Sequence, residues 1–178
     1  GDAPRAKPDP AVAQAQAHLT RHDRAAAHAA LQKSVEQAQG FELRGPLSKA
    51  ALLLARMEMD LGHHDDAEKR LRTLRIAPPP LADQARLLTG TIAVSRQEPW
   101  SEEILREALK GLKNEQDRCE AMLLIGERVL LLDRTSEAES MFQQALNLAN
   151  HIGARQLSAR ALLGLGDLLR LKGDIQAA

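Results

Sequence analysis

The chain has 178 residues, of which 24 are basic and 24 acidic. With no net field to attract a phosphate backbone or an anionic bilayer, composition argues against nucleic acid as the principal ligand. Aromatic residues make up 2% against a hydrophobic fraction of 44% rich in alanine and leucine, a mixture that favours helix throughout because strands draw on aromatic and β-branched side chains. The lone Cys119 forms no internal disulfide and no thiolate zinc cluster, which fits the cytoplasm and is also compatible with a periplasm. No apolar run approaches the roughly 20 residues of a membrane span, so no membrane partner is expected for this segment.

In chain order, Gly1 to Pro10 contains Pro4, Pro8 and Pro10 among small and charged residues and reads as a linker or the cut edge of a longer chain. The rest, 11–178, is expected to be helical. Pro10 suits the first turn of a helix running to about Thr20, followed by a turn at His22 and Asp23 and a helix from Arg24 to Gln39 closed by Gly40. Pro46 opens a helix that stops at Gly62, and Asp65 and Asp66 then mark the start of one carrying Ala67, Leu71 and Leu74. Pro78 to Pro80 ends it. Helices are expected from Leu81 to Arg96 and after Pro99, where Ile104, Leu105, Ala108, Leu109 and Leu112 keep a helical period. Further helices are expected from Arg118 to Leu132, from Glu137 to Ala149, and from Arg155 to Lys172, the last ending at a Gly173-Asp174 turn.

Met122, Ile125, Gly126, Val129, Ala138, Phe142 and Ala145 form a small-and-large string that recurs along the chain. Ala51, Leu54, Ala55, Ala67, Leu71 and Leu74 precede it, with Pro79 after them. Ala85, Leu88, Thr89, Ile92, Leu105 and Ala108 come next, and Leu162, Leu165, Gly166, Leu169, Gly173 and Ala178 close the series. The offsets are 34 (Ala51 to Ala85), 37 (Ala85 to Met122) and 40 (Met122 to Leu162). Each such unit buries its apolar face only by stacking on the next. The string resembles the tetratricopeptide repeat, in a longer-repeat form similar to that of bacterial signalling regulators and assembly scaffolds. Ala27 and Leu31 suit the second helix of an N-terminal unit, whereas Gln14 and His18 fill slots that should be large and apolar. The resemblance implies an all-α, right-handed superhelical solenoid of antiparallel helix pairs, about four repeats and a C-terminal half repeat.

In such a solenoid the first (A) helix of each pair lines the concave wall. The implied partner-binding slots are Gln16, then Leu52, Leu53 and Arg56, then Arg86, Leu87 and Gly90, then Leu123, Leu124 and Glu127, and last Leu163, Gly164 and Asp167. An apolar middle with charge changing sign along it suits a peptide or an amphipathic helix. Family members that clamp a chaperone's terminal carboxylate use lysine, arginine and asparagine. Leu52, Arg56, Leu87, Leu123 and Glu127 stand here instead, so that ligand is not expected.

The last helix is rich in leucine, and Leu162, Leu165, Leu168 and Leu169 are expected to drive self-association into a homo-oligomer or to be covered by further repeats. No catalytic motif, cofactor or metal site is expected. His63-His64-Asp65-Asp66 reads as a solvated turn, Glu102-Glu103 as charge at a helix start, Trp100 as a hydrophobic staple and Cys119 as an unreactive thiol. The function implied is a non-enzymatic protein-protein interaction scaffold. The alternative is a ligand- or partner-sensing regulatory arm of a multidomain signalling protein or transcriptional regulator.

Overall fold

Several helices stop where their backbone carbonyls find a left-handed residue to turn on. The structure is a computed structural model and describes residues 10–21, 23–37 and 47–177. Among them run α1 (Pro10–Thr20), α2 (Arg24–Gln37), α3 (Leu47–Asp60), α4 (His64–Leu74), α5 (Leu81–Ser95), α6 (Ser101–Gly111), α7 (Glu115–Leu131), α8 (Thr135–His151) and α9 (Arg155–Ala177), with no strand. The expected linker over 1–9, the His22 part of the first turn, and the roles of Gly40 and Pro46 lie outside the described residues.

Gly62, Gln97, Asp133 and Gly153 have φ of 79°, 56°, 57° and 69°. At each, the next residue's N–H reaches back five positions, as His63 to Glu58 (2.7 Å), Glu98 to Ala93 (2.9 Å), Arg134 to Val129 (3.0 Å) and Ala154 to Ala149 (2.8 Å). The paired bonds form a Schellman cap, which satisfies carbonyls the helix end leaves open and reverses the chain sharply. Glycine adopts this conformation freely, whereas Gln97 and Asp133 adopt it at some cost.

The chain forms two compact units divided between Ala85 and Arg86, within α5. In the first, α1 packs on α2, both pack on α3, and α3 pairs with α4. Here α1 turns differently from the expected register: Ala15 is fully buried with Val12 and Leu19 half-buried, while Gln14 is exposed. In the second unit α6 packs on α7, α7 on α8, and α9 on both α7 and α8. Within each unit, consecutive helices pack on one another as in the all-α repeat architecture the spacing implied.

Two helix boundaries and one packing position depart from expectation in ways that have a clear physical reason. α7 starts at Glu115 because Asn114 caps it, its Oδ1 accepting the Asp117 N–H at 3.0 Å. α9 passes through Gly173 and Asp174 without a turn, since an isolated glycine costs a helix only about 1 kcal/mol and does not by itself end one. In α5 the residue beneath the next helix is Gly90, not Thr89 one position earlier. A Cβ on Gly90 would lie 2.4 Å from Leu105 Cδ2.

Phe142 is the centre of the second unit. Its ring, 1% exposed, fills the space two glycines leave: a Cβ at Gly126 in α7 would come within 2.8 Å of Cε1, and one at Gly164 in α9 within 2.5 Å. Gly164, expected on the inner wall, is therefore a packing residue. A Gly164→Ala variant gains about 1 kcal/mol of helix propensity but forces a clasped ring to move, at about 1–3 kcal/mol. Urea denaturation is expected to show net loss. Gly166→Ala, two residues on and with nothing within 4 Å, should instead gain up to about 1 kcal/mol.

Candidate functional site

The slots expected to face a ligand divide into buried and exposed sets. In the first unit Gln16 is exposed and Leu53 and Arg56 are half-buried, whereas Leu52 is buried. In the second unit Leu87, Leu123 and Leu124 are core residues. They correct the expected apolar middle of the wall: these leucines fill the seams between neighbouring helices and offer a partner no side-chain area. Arg86 and Glu127 are half-buried, while Leu163 and Asp167 stand exposed on α9.

Glu127 is not a lone charge. Arg160 on α9 holds it with two parallel hydrogen bonds, Nε donating to Oε1 at 2.6 Å and Nη2 to Oε2 at 2.7 Å, the bidentate geometry in which a guanidinium and a carboxylate match best. The bonds from Glu127 push the Arg160 pKa upward against the opposing effect of burial. Asp167 lies 3.5 Å from Arg170. The stripe Arg160, Leu163 and Asp167 thus sets an exposed leucine between two charged groups on one face of α9.

A second charged cluster ties α6 to the α7–α8 turn. Glu102 accepts from Arg106 at 2.8 Å and from Arg134 at 2.7 Å, and both arginines also bond Glu137. Glu102 was expected merely to favour a helix start; its partner Arg134 lies 32 positions away. Burial pushes the Glu102 carboxyl up, but the hydrogen bonds from Arg134 and Arg106 together outweigh it and hold the group below its ordinary value. The folded state therefore binds its proton less readily than the unfolded chain. The associated stability is complete above the unfolded glutamate value of about 4.3 and is lost as pH falls through the lowered folded value. The thermal midpoint of the wild type should accordingly fall more steeply below about pH 4 than that of Glu102→Gln, by a margin worth about 1 kcal/mol or less because its arginine partners are 36% and 43% exposed and screened by solvent.

The pairs Glu127–Arg160 and Glu139–Lys172 are each 33 positions apart. Local helix spacing is blind to such contacts. The signal that would have found them is a charge recurring with opposite sign about one repeat length on.

The remaining candidates carry no chemistry of their own. His63 occupies the N-cap position of α4 without a capping side-chain bond, Asp65 and Asp66 lie exposed in its first turn, and no group of three or more metal-ligating side chains occurs among the described residues. Cys119 is fully buried, its Sγ donating to the Ala145 carbonyl at 3.3 Å, and burial raises its pKa, so the unreactive thiol persists. Trp100 itself stands at the N-cap position of α6, makes no capping side-chain bond and is 41% exposed. A cleft of about 280 Å³ in the first unit is lined by Val35, Ala51, Asp66, Lys69, Arg70 and Thr73, but its charges are paired within the protein, Asp66 with Lys69 and Arg70 with Glu58. Of the leucines expected to self-associate, Leu168 is 1% exposed and Leu165 half-buried against the core, because that side of α9 packs on α7 and α8. Leu162 and Leu169 do face outward. Among the described residues no helix is long and apolar enough to cross a membrane.

No curated protein matches the sequence. Residues 52–110 match the family model described as tetratricopeptide repeat, a segment that takes in nearly all of the α3–α4 and α5–α6 pairs; α7 and α8 repeat the same pairing and the same glycine-under-large-residue contact beyond it. Over residues 52–110, helix order, antiparallel pairing and the family match converge on the tetratricopeptide repeat.

Proposed function

We propose that this protein is an interaction scaffold that performs no chemistry and holds a peptide or a helix of a partner protein against the A-helix surface of its second unit. Tetratricopeptide repeats generally mediate protein-protein interaction. The observation that carries the reading here is the α9 stripe: Leu163 is 71% exposed and is flanked by Arg160, tied to Glu127, and by Asp167. An apolar anchor framed by both signs of charge suits an amphipathic ligand, with the leucine supplying area and the charges fixing register.

The test is a peptide library selected on the whole protein, followed by titration of the selected ligands against Leu163→Asp, Asp167→Lys. The double variant should weaken them by about tenfold or more, equivalent to about 1.4 kcal/mol, with helical circular dichroism unchanged. Ligands that bind the variant as well as the wild type would remove this face of α9 from consideration.

A further inference from the structure

α2 and α4 both pack on α3, and residues of all three line the cleft of about 280 Å³ in the first unit. Its apolar part comes from Val35 of α2 and Ala51 of α3, which are 8% and 1% exposed. Its polar part comes from α4. There Asp66, Lys69, Arg70 and Thr73 keep the i, i+3, i+4, i+7 spacing of a single helix face.

The ion pairs at this face leave its cations partly uncommitted. Arg70 donates from Nε to Glu58 Oε1 at 2.7 Å, while its Nη1 and Nη2 groups hold no hydrogen bond among the described residues. Glu58, with a side chain 3% exposed, thus fixes the guanidinium in place and takes only one of its nitrogens. The remaining edge is the one that meets a second carboxylate with two parallel bonds. Lys69 and Asp66 are 75% and 59% exposed and stand 3.4 Å apart, a solvent-screened pair that an incoming anion can displace.

We propose that this cleft is a binding site for a small aliphatic carboxylate, its head group on Arg70 Nη1 and Nη2 beside the Lys69 ammonium and its hydrocarbon body over Val35 and Ala51. Volume sets the size class, since sites for drug-sized ligands run from about 300 to 1,000 Å³ and this one admits only a short chain. Charge sets the head group, because two cations and one carboxylate line the cleft. None of the six lining residues is aromatic, so a nucleobase finds no stacking surface, and inorganic phosphate would leave the apolar part uncovered. The site belongs to the first unit and does not rest on the α9 stripe, so the two readings fail separately.

The probe is hexanoate, titrated into the whole protein and followed by NMR of the Val35 and Ala51 methyl groups and the Lys69 and Thr73 amides. Saturable shifts centred on these residues are expected, with a Kd of about 1 mM. Hexylamine, which has the same chain and the opposite charge, should bind about tenfold more weakly or not at all. Lys69→Glu should weaken hexanoate about fivefold or more by setting a second carboxylate at the cleft, and Asp66→Asn should tighten it about twofold by releasing Lys69. Both positions are exposed, so circular dichroism should be unchanged in either variant and the losses are not those of unfolding. Absence of saturation by hexanoate, equal binding of hexylamine, or hexanoate binding unchanged in Lys69→Glu overturns the proposal. A leucine-ended peptide with a free C-terminal carboxylate that shifts the same signals where hexanoate does not overturns it too, and assigns the cleft to the end of a protein chain.

Discussion

Phe142→Ala is expected to destabilise the second unit by about 3–5 kcal/mol, the upper range for a single core truncation. The ring touches the backbone-level surfaces of two other helices, Gly126 in α7 and Gly164 in α9, so its removal empties space that no neighbouring side chain reaches into. Backbones clasped around a ring collapse less readily than flexible side chains, which places the cost toward the top of the range. Hydrogen exchange should show α7, α8 and α9 losing protection together, because the cavity adjoins all three. A loss below about 1 kcal/mol would mean that the ring is not the joint between them. Phe142→Leu should recover much of the difference, as leucine serves at the equivalent position, Leu105, over Gly90.

Arg70→Ala is expected to cost the first unit about 3 kcal/mol or more. Glu58 on α3 has a side chain only 3% exposed. Its Oε1 accepts the Arg70 Nε–H at 2.7 Å, its Oε2 has no partner, and His28 Nε2 stands 3.8 Å away, beyond hydrogen-bond reach. Removing the guanidinium leaves a desolvated carboxylate without a hydrogen-bond donor, its nearest remaining partner being His28 at 3.8 Å. The penalty comes from that orphaned charge, not from the intrinsic worth of the pair, which an apolar pair of similar volume can match. A Glu58→Leu, Arg70→Met double variant should therefore be markedly more stable than Arg70→Ala alone, judged by amide protection in α3 and α4. Equal losses in the two variants would show that the buried charge is not the cause.

Both residues illustrate how far the sequence could be read. Phe142 and Gly126 were legible as members of one repeated string, because a small residue recurring opposite a large one has few explanations other than close helix approach. Gly164 as the second wall of the same ring was not, since periodicity reports which face of a helix is apolar but not which of two neighbours fills it. Glu58 and Arg70 left no signal, being twelve positions apart on different helices. The slip from Thr89 to Gly90 has the same origin: a shift of one residue in the A helix leaves the apolar stripe intact and moves only the contact point.

Leu123 and Leu163 occupy the same expected slot on successive A helices, yet one is core and the other 71% exposed. Composition, the helical period, the turn glycines Gly62 and Gly153 and the recurring string were enough to dictate helices, their pairing and the repeat family, because these depend on short-range sterics and on each chain segment's own pattern. Which leucines are spent between helices and which charges are tied across a repeat depend on the count and placement of neighbours around each helix. That information is absent from any single helix's pattern and arises only when the row is assembled.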